Sequence, residues 1–249
     1  MRESSSIPYC GSAPAPGEWL ARWNLDPLLL VMLALTSLAW FVWHRHRTGS
    51  ADGRAAVAAL AVATFLFVSP FCAMGSALFM VRILHDTILV LLLAPLIMAA
   101  FALQRRNIPG PLTMWTAIHV VVFWLWHAPP LYSAAMSSSA AFWTMQITIA
   151  GSAAVWWARL LRAPATGAAA SLLATMVAMG VLGALITFAG RALYAPHWVT
   201  TQQWGLSPLE DQQIAGIIMW APVSAAYLFA ALVLLFRSLP EERLFRASA

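Results

Sequence analysis

Long apolar runs separated by short polar stretches extend along almost the whole chain. Seven runs approach the roughly 20 residues that an α-helix needs to cross about 30 Å of hydrocarbon. We order these runs by apolar length, because periodicity alone does not separate buried helices from lipid-facing ones. They lie at about 27–43, 55–74, 81–103, 112–131, 139–161, 168–190 and 212–236.

This pattern predicts an all-α fold, a polytopic integral membrane bundle of seven transmembrane helices. The predicted parts are an N-terminal tail over 1–26, a transmembrane domain over 27–237 and a C-terminal tail over 238–249. The tail lacks an apolar segment after a basic start, so it does not indicate a cleavable signal peptide. In the sixth run, small residues recur at helical spacing and predict close packing between helices. They are Gly180, Gly183, Ala184, Thr187 and Gly190.

The composition agrees with a membrane protein. Hydrophobic residues make up 61% of the chain and charged residues only 9%, whereas soluble domains are about one quarter charged. The net charge of +5 would indicate nucleic acid in a soluble chain. Here the basic residues fall between apolar runs, so we interpret them as topology signals and expect no nucleic-acid partner.

All fourteen basic residues are arginine, and their placement predicts an orientation. With seven crossings, ten of them share one side: Arg45, Arg47, Arg54, Arg105, Arg106, Arg159, Arg162, Arg237, Arg243 and Arg246. The other side holds Arg2, Arg22 and Arg191, with Arg82 just inside a span. The positive-inside rule therefore predicts an outer N-terminus and a cytoplasmic C-terminus.

This orientation gathers the unusual polar residues at the outer end of the bundle. They are His85, Asp86, His127, Tyr132, Tyr194, His197, Glu210 and Asp211. His44 and His46 lie with the cytoplasmic arginines, and His119 lies deeper. We therefore expect the functional site in the outer layer of the bundle.

The third span begins with three ionisable residues that share one helix face. Arg82 and Asp86 are four residues apart, and His85 is three residues from Arg82. Ionisable groups within a span usually face the protein interior and pair there. One interpretation is an Arg82–Asp86 ion pair with His85 merely hydrogen-bonded. The other is a metal ligand, His85, whose ring is oriented by Asp86.

The fourth span runs into "WHAPPLY". Pro129 and Pro130 cannot donate backbone hydrogen bonds, and the residue before a proline avoids the helical region. We therefore expect the helix to end near His127. Its imidazole would either satisfy the free carbonyls of the helix end or act as a ligand.

The seventh span starts with the helix signals of "SPLEDQQ". Ser207 and Glu210 have the spacing of a capping box. Glu210 and Asp211 fall in the first turn, where the helix dipole favours negative charge. Gln212 and Met219 are expected on one face of this helix.

The two cysteines, Cys10 and Cys72, both fall on the outer side. A disulfide is one option in an oxidising compartment. Ligation of monovalent copper is the other, since thiolates and thioethers such as those of Met80 and Met219 suit that ion. Spacing does not decide between them.

Several functional classes can be weighed against these residues. A retinal protein requires a Schiff-base lysine, and the sequence has none. A b-type cytochrome could use His85 and His127 as axial haem ligands on neighbouring helices. Transporters place their sites near the midplane, whereas the polar residues here cluster at one end. Ser76 and Ser133 give only weak grounds for an intramembrane protease, so we do not expect an enzyme.

Four stretches together resemble the seven-helix CtaG-type cytochrome c oxidase assembly family. They are "ALFMVRILHDTILVLLLAPL", "WHAPPLY", "LGALITFAGRALYAPH" and "GLSPLEDQQIAGIIMW". The N-terminal "YCGSAPAPGEWLARWNLDP" is similar to the start of a bacterial branch. Many members have two histidines four residues apart at the start of the third span. This sequence has Val81 in place of the first and keeps only His85.

The resemblance implies a multi-pass protein of the bacterial inner membrane that assists copper delivery to the copper B centre of the oxidase. Its partners would be oxidase subunit I, other assembly factors and the lipid bilayer. The expected cargo is Cu(I), with haem as the alternative cofactor, and a scaffold that binds no metal is a further alternative. The expected metal ligands are His85, His127, Met219, Met80, Cys10 and Cys72. The expected surrounding residues are Arg82, Asp86, Tyr132, Tyr194, His197, Glu210, Asp211 and Gln212.

Overall fold

The computed structural model describes residues 8–45 and 52–239. Within these ranges the chain is helical and has no strand. The helices are α1 (Pro27–Arg45), α2 (Gly53–Phe67), α3 (Pro70–Ala77), α4 (Phe79–Ile88), α5 (Ala94–Ala100), α6 (Leu112–His127), α7 (Pro129–Ser137), α8 (Ser139–Leu160), α9 (Ala165–Thr187), α10 (Pro208–Trp220) and α11 (Pro222–Arg237). One π-helical turn, Leu89–Leu93, joins α4 to α5.

Four helical segments are long and apolar enough to cross a membrane. They are Pro27–Arg45, Phe79–Ala100, Ala165–Thr187 and Pro208–Arg237. The pair α2–α3, bent by 44°, would be a fifth, and α6 is apolar but shorter. The chain is therefore an all-helical protein with four to five candidate membrane spans in its described part.

Prolines explain why several predicted spans consist of two helices. Pro70, Pro129 and Pro222 each begin a new helix, because proline lacks the N–H that would continue the preceding one. Ser69 caps α3 by accepting a hydrogen bond from the N–H of Phe71. The prediction that a helix ends near His127 is confirmed, since α6 ends there and α7 starts two residues later.

Helices α9 and α10 pack so closely that glycine is required on both sides. A Cβ atom on Gly183 would lie 2.8 Å from the carbonyl oxygen of Gly216. A Cβ atom on Gly216 would lie 2.6 Å from the carbonyl oxygen of Gly183. Close packing is therefore confirmed at Gly183 and Thr187, whereas a Cβ atom on Gly190 would meet nothing within 4 Å.

Helix α1 lies at the margin of the bundle. Only 6% of its most apolar window is buried, and Leu29 is its buried residue. The indole of Trp40 donates a hydrogen bond to the carbonyl of Ala100. Between α1, α2 and α5 lies an apolar groove of about 460 Å³.

Contacts distinguish the two ends of the bundle. At one, which we call the arginine end, Arg162 donates to the carbonyl of Arg106 and Arg159 to that of Ile108. At the other, the disulfide end, Cys10 is bonded to Cys72 beside the first residues of α4. Some residues of the sequence argument lie outside the described ranges: Arg2, Arg47, His46, Arg243 and Arg246.

Candidate functional site

Helix α4 is positioned from its first turn by a carboxylate of α10. Asp211 accepts hydrogen bonds from the backbone N–H groups of Phe79, at 2.6 Å, and Met80, at 3.1 Å. No side chain of α4's own N-cap residue does this. Asp211 is fully buried, and negative charge at a helix N-terminus complements the helix dipole. The capping interaction fixes α4 against α10 at the disulfide end.

One and a half turns further along α4, two histidines from different helices meet one carboxylate. The Nδ1 atom of His85 lies 3.3 Å from Oδ1 of Asp86. The Nε2 atom of His127, at the end of α6, lies 3.8 Å from Oδ2 of the same carboxylate. All three side chains are at most 1% exposed. At about 1.5 Å rise per residue, His85 lies about 9 Å along the axis from Phe79.

The ring of His127 has a defined proton arrangement. Its Nδ1 atom is 2.8 Å from the carbonyl oxygen of Phe123, and a carbonyl only accepts, so Nδ1 carries a proton. In the neutral ring, Nε2 then has a free lone pair, and it faces a carboxylate oxygen of Asp86. Neither of these two atoms has a hydrogen-bond partner. Two acceptors face each other, which is favourable only when a proton or another cation lies between them.

His85 is held similarly. Its Nδ1 atom faces Asp86, so this nitrogen carries the proton when the carboxylate is ionised. Its Nε2 atom makes no hydrogen bond. Phe67 packs edge-on against the ring, with centroids 5.2 Å apart. The carboxylate thus orients one imidazole of α4 and faces another of α6.

Aromatic residues cover this trio toward the disulfide end. The hydroxyl of Tyr194 donates to the carbonyl oxygen of His127 at 2.9 Å. Its ring stacks on Phe79, with centroids 3.8 Å apart. Tyr132 and His197 share a hydrogen bond of 2.7 Å between the phenol oxygen and Nε2. The expected outer layer therefore lies over the two histidines and keeps them from the surface.

Burial also controls the ionisation of the covering loop. Burial lowers the pKa of His197 to about 3, with the Arg82 charge adding to the effect. His197 is therefore neutral at physiological pH, and its Nε2 accepts the phenolic proton of Tyr132. Burial likewise raises the pKa of the Tyr194 phenol, so it remains a donor to the end of α6.

The structure pairs the two cysteines in a disulfide, one of the two options that the sequence left open. Cys10 and Cys72 are bonded across 62 residues of sequence. Neither sulfur is a thiolate in this state, so the six expected ligands reduce to His85, His127 and the two methionines. Arg82 donates to Cys10 Sγ at 3.8 Å. No ion pair joins Arg82 to Asp86 among the described residues, so the alternative of an Arg82–Asp86 pair is wrong.

The remaining expected residues have structural contacts. Glu210 is exposed and forms the predicted capping box with Ser207. Gln212 is buried; its amide oxygen accepts from the N–H of Leu193 and its NH₂ group donates to the carbonyls of Ile186 and Arg191. This amide therefore ties the end of α9 and the following loop to α10.

The two methionines occupy different places. Met80 is half-buried in the first turn of α4, beside the Asp211 cap. Met219 is buried in the second half of α10. Among the described residues, neither thioether is a hydrogen-bond partner of His85 or His127.

The donor set suits a soft or borderline cation. Imidazole nitrogens with free lone pairs are ligands for copper, and a carboxylate that holds such rings is the usual supporting group. Within the described residues, however, no group of three or more His, Cys, Asp or Glu side chains has the geometry of a metal site. The trio therefore offers two imidazoles and one carboxylate without the closed shell of a permanent metal centre.

Sequence reasoning missed one buried polar side chain near these helices. Gln146 of α8 is 2% exposed, and neither its amide nitrogen nor its amide oxygen has a hydrogen-bond partner. It lies one helical turn from Phe142, the ring that packs under Arg82. A lone glutamine inside the apolar stretch "FWTMQITIAG" was the available signal, because polar residues within spans usually face the bundle interior.

Comparison with known families identifies the family of the chain. The sequence profile of the cytochrome c oxidase caa3 assembly factor family (Caa3_CtaG) matches residues 106–240, more than half of the chain. The chain belongs to this family. Comparisons with curated proteins and with solved structures each gave no match.

Only part of the candidate site lies within the residues that match the caa3 assembly factor family. His127, Tyr132, Tyr194, His197 and Asp211 lie within the matched residues. The α4 segment that carries Arg82, His85 and Asp86 precedes them. Asp211 and His127 are therefore two of the residues through which the matched region contacts α4.

Proposed function

We propose that this oxidase assembly factor holds Cu(I) between His85 and His127 and passes it toward the copper B centre of the oxidase. The observation that carries the proposal is the pair of facing acceptors, His127 Nε2 and Asp86 Oδ2, 3.8 Å apart in a fully buried site. A cation bound there would remove the unfavourable contact between two lone pairs. Membership of an oxidase assembly family supports copper as that cation.

Each residue of the trio has a separate part in this proposal. His127 presents its Nε2 lone pair because Phe123 fixes the proton on Nδ1. Asp86 orients His85 and supplies negative charge that offsets the charge of the ion. Two imidazoles and few other donors fit a transfer site, since cargo must also leave. A thioether sulfur of Met80 or Met219 would be a further ligand, because soft donors suit Cu(I).

The proposal includes a topology and a partner. Seven crossings with the N-terminus outside would place the disulfide end at the outer face of a bacterial inner membrane. The arginines of the opposite end support that orientation through the positive-inside rule. Oxidase subunit I, which contains the copper B centre, would be the receiving partner. No bond of a substrate is made or broken, so the protein would not be an enzyme.

The test is the copper content of the oxidase made without this protein. We expect oxidase purified from a deletion strain to have lost most copper B, and the wild-type gene to restore it. Genes encoding His85→Ala or His127→Ala should fail to restore it. The matched control is His44→Ala, which removes a half-buried histidine at the last turn of α1. Normal copper B in the deletion strain would contradict copper delivery and leave a scaffold function.

Haem is the alternative ligand for the same two histidines. An apolar groove of about 460 Å³ between α1, α2 and α5 and a cavity of about 710 Å³ between α6 and α9 are lined by other residues, so neither supports a porphyrin at His85 and His127. The distinguishing measurement is the absorption spectrum of the purified protein. A Soret band that disappears in His85→Ala would favour a b-type cytochrome over copper delivery.

A further inference from the structure

The Cys10–Cys72 disulfide lies against a buried guanidinium. Arg82 is 1% exposed, and its Nη2 donates to Cys10 Sγ at 3.8 Å. Gly75, one turn after Cys72 on α3, leaves the space that the guanidinium fills. A Cβ atom at Gly75 would lie 3.0 Å from Nη2 and 3.1 Å from Cζ of Arg82. The ring of Phe142 supports the other side, with Cζ 5.2 Å from its centroid.

This guanidinium lacks an anion. Its Nε and Nη1 atoms have no hydrogen-bond partner, and no carboxylate of the described residues lies within ion-pair distance of it. A buried charge without a counter-charge is costly, and a neutral disulfide sulfur is only a weak acceptor. A thiolate in the position of Cys10 Sγ would supply the missing negative charge.

We propose that Cys10–Cys72 is a redox-active disulfide whose reduced form is stabilised by Arg82, and that it exchanges with an external dithiol. An adjacent arginine favours the thiolate form of a cysteine. A disulfide whose reduced form is stabilised is more easily reduced than a permanent structural one. This role is independent of copper binding by the histidines.

The exchange is a balanced two-electron reaction. A thiolate of the dithiol attacks Sγ of Cys10, which is the less deeply buried of the two cysteines, with 6% of the residue exposed against 0% for Cys72. The Cys72 sulfur leaves with the electron pair. The second thiol of the dithiol then attacks the mixed disulfide. This closes an internal disulfide in the dithiol and releases the Cys10 thiolate. The dithiol loses two electrons and two protons. One proton goes to a cysteine and the other to solvent, because one sulfur stays a thiolate beside Arg82.

Other contacts keep the N-terminal segment in place when the disulfide opens. The hydroxyl of Tyr9 donates to Asp26 Oδ2 at 2.7 Å. The indole of Trp204 donates to the carbonyl of Pro14 at 3.0 Å. The bond is therefore not the sole attachment of the segment, and reduction leaves a pair of thiols at Arg82.

The test is a thiol–disulfide titration of the full-length purified protein in detergent. Samples are equilibrated with mixtures of reduced and oxidised dithiothreitol, quenched with acid and labelled with a maleimide polymer for a gel shift. We expect the wild-type bond to open and close reversibly with unchanged circular dichroism. Arg82→Gln should need about tenfold more reduced dithiothreitol, relative to oxidised, for half reduction. The control Arg22→Gln, an exposed arginine of the same segment, should leave the midpoint unchanged.

Two results would overturn the proposal. One is an Arg82→Gln midpoint within about twofold of wild type, far below the tenfold effect of a lost stabilising charge. The other is a wild-type disulfide that resists dithiothreitol until the protein unfolds. Should Arg82→Gln not fold, Gly75→Ala is the second variant, because its added methyl would lie 3.0 Å from Nη2 and move the guanidinium by a few tenths of an ångström. It should shift the midpoint in the same direction by a smaller factor, and no shift or a shift toward easier reduction would contradict a role for Arg82.

Discussion

At the scale of single residues, the site depends on one carboxylate that serves two helices. Asp86 faces Nδ1 of His85 and Nε2 of His127, and none of the three side chains reaches the surface. Burial strengthens electrostatic interactions because little water screens them. Asp86, which links the two imidazoles, should therefore have a strong effect on ligand binding even if it does not itself contact the ligand.

Replacing Asp86 by asparagine tests this directly. The change keeps the shape but removes the negative charge, so we expect Cu(I) affinity to fall by about 10- to 100-fold, the usual effect of losing a supporting carboxylate. Isothermal competition with a colorimetric Cu(I) chelator measures it. Asp52→Asn, which alters the cap of α2, is the control. If Asp86→Asn bound Cu(I) as tightly as the wild type, Asp86 would not belong to the site.

His197 gives a prediction for acid stability. Its pKa is lowered to about 3 in the folded protein, while an unfolded histidine titrates near 6.5. The unfolded state therefore binds more protons between these values, and stability is lost as pH falls from about 6.5 toward 3. Between pH 7 and pH 5, the melting temperature of His197→Gln should fall by less than that of the wild type. Parallel losses in the two proteins would contradict this account.

At the scale of elements, two of the contacts that join α10 to its neighbours are the Asp211 cap on α4 and the glycine contact with α9. Asp211 was expected to serve the dipole of its own helix, but the fold gives it the N-terminus of α4 as well. Local signals predicted the capping box of Ser207 and Glu210 correctly. The partner of Asp211 lies 132 residues away, and no local pattern encodes such a separation.

Replacing Asp211 by asparagine should destabilise the fold. An amide oxygen can accept only one of the two N–H groups well, and its NH₂ group would be buried without a partner. We expect a loss of about 1–3 kcal/mol in unfolding free energy, read as a lower melting temperature in detergent. The neighbouring Glu210→Gln, on an exposed side chain, should cost only a few tenths of a kcal/mol. Equal effects of the two changes would show that the cap on α4 contributes nothing.

The glycine contact predicts an effect of a single methyl group. Gly216→Ala would place Cβ 2.6 Å from the Gly183 carbonyl, so α9 and α10 must separate. We expect a loss of about 1–3 kcal/mol from overpacking, again measured by thermal unfolding. Gly151→Ala adds the same methyl where nothing lies within 4 Å and should be neutral or slightly stabilising. Should both variants melt like wild type, the helices would not be in tight contact.

At the scale of the whole molecule, apolar length and proline positions predicted the helical fold, and motif resemblance predicted the family. The candidate site was predicted less completely. His85 and His127 were expected near the outer interface, whereas α7 and the loop with Tyr194 and His197 cover them. The sequence could not decide between a disulfide and metal ligation for Cys10 and Cys72. The separation of two cysteines along the chain does not give the distance between them in the fold. Gln146 was missed although its position as a single polar residue in an apolar run was an available signal.

For the molecule as a whole, we propose that two histidines on different helices bind one cuprous ion. The most direct measurement is an anaerobic Cu(I) titration of the purified protein with its Cys10–Cys72 disulfide intact. We predict a single bound copper, an affinity at least about tenfold lower in His85→Ala and in His127→Ala, and wild-type affinity in His44→Ala. A wild-type protein that binds no copper, or two histidine variants that bind it as tightly as wild type, would contradict the account.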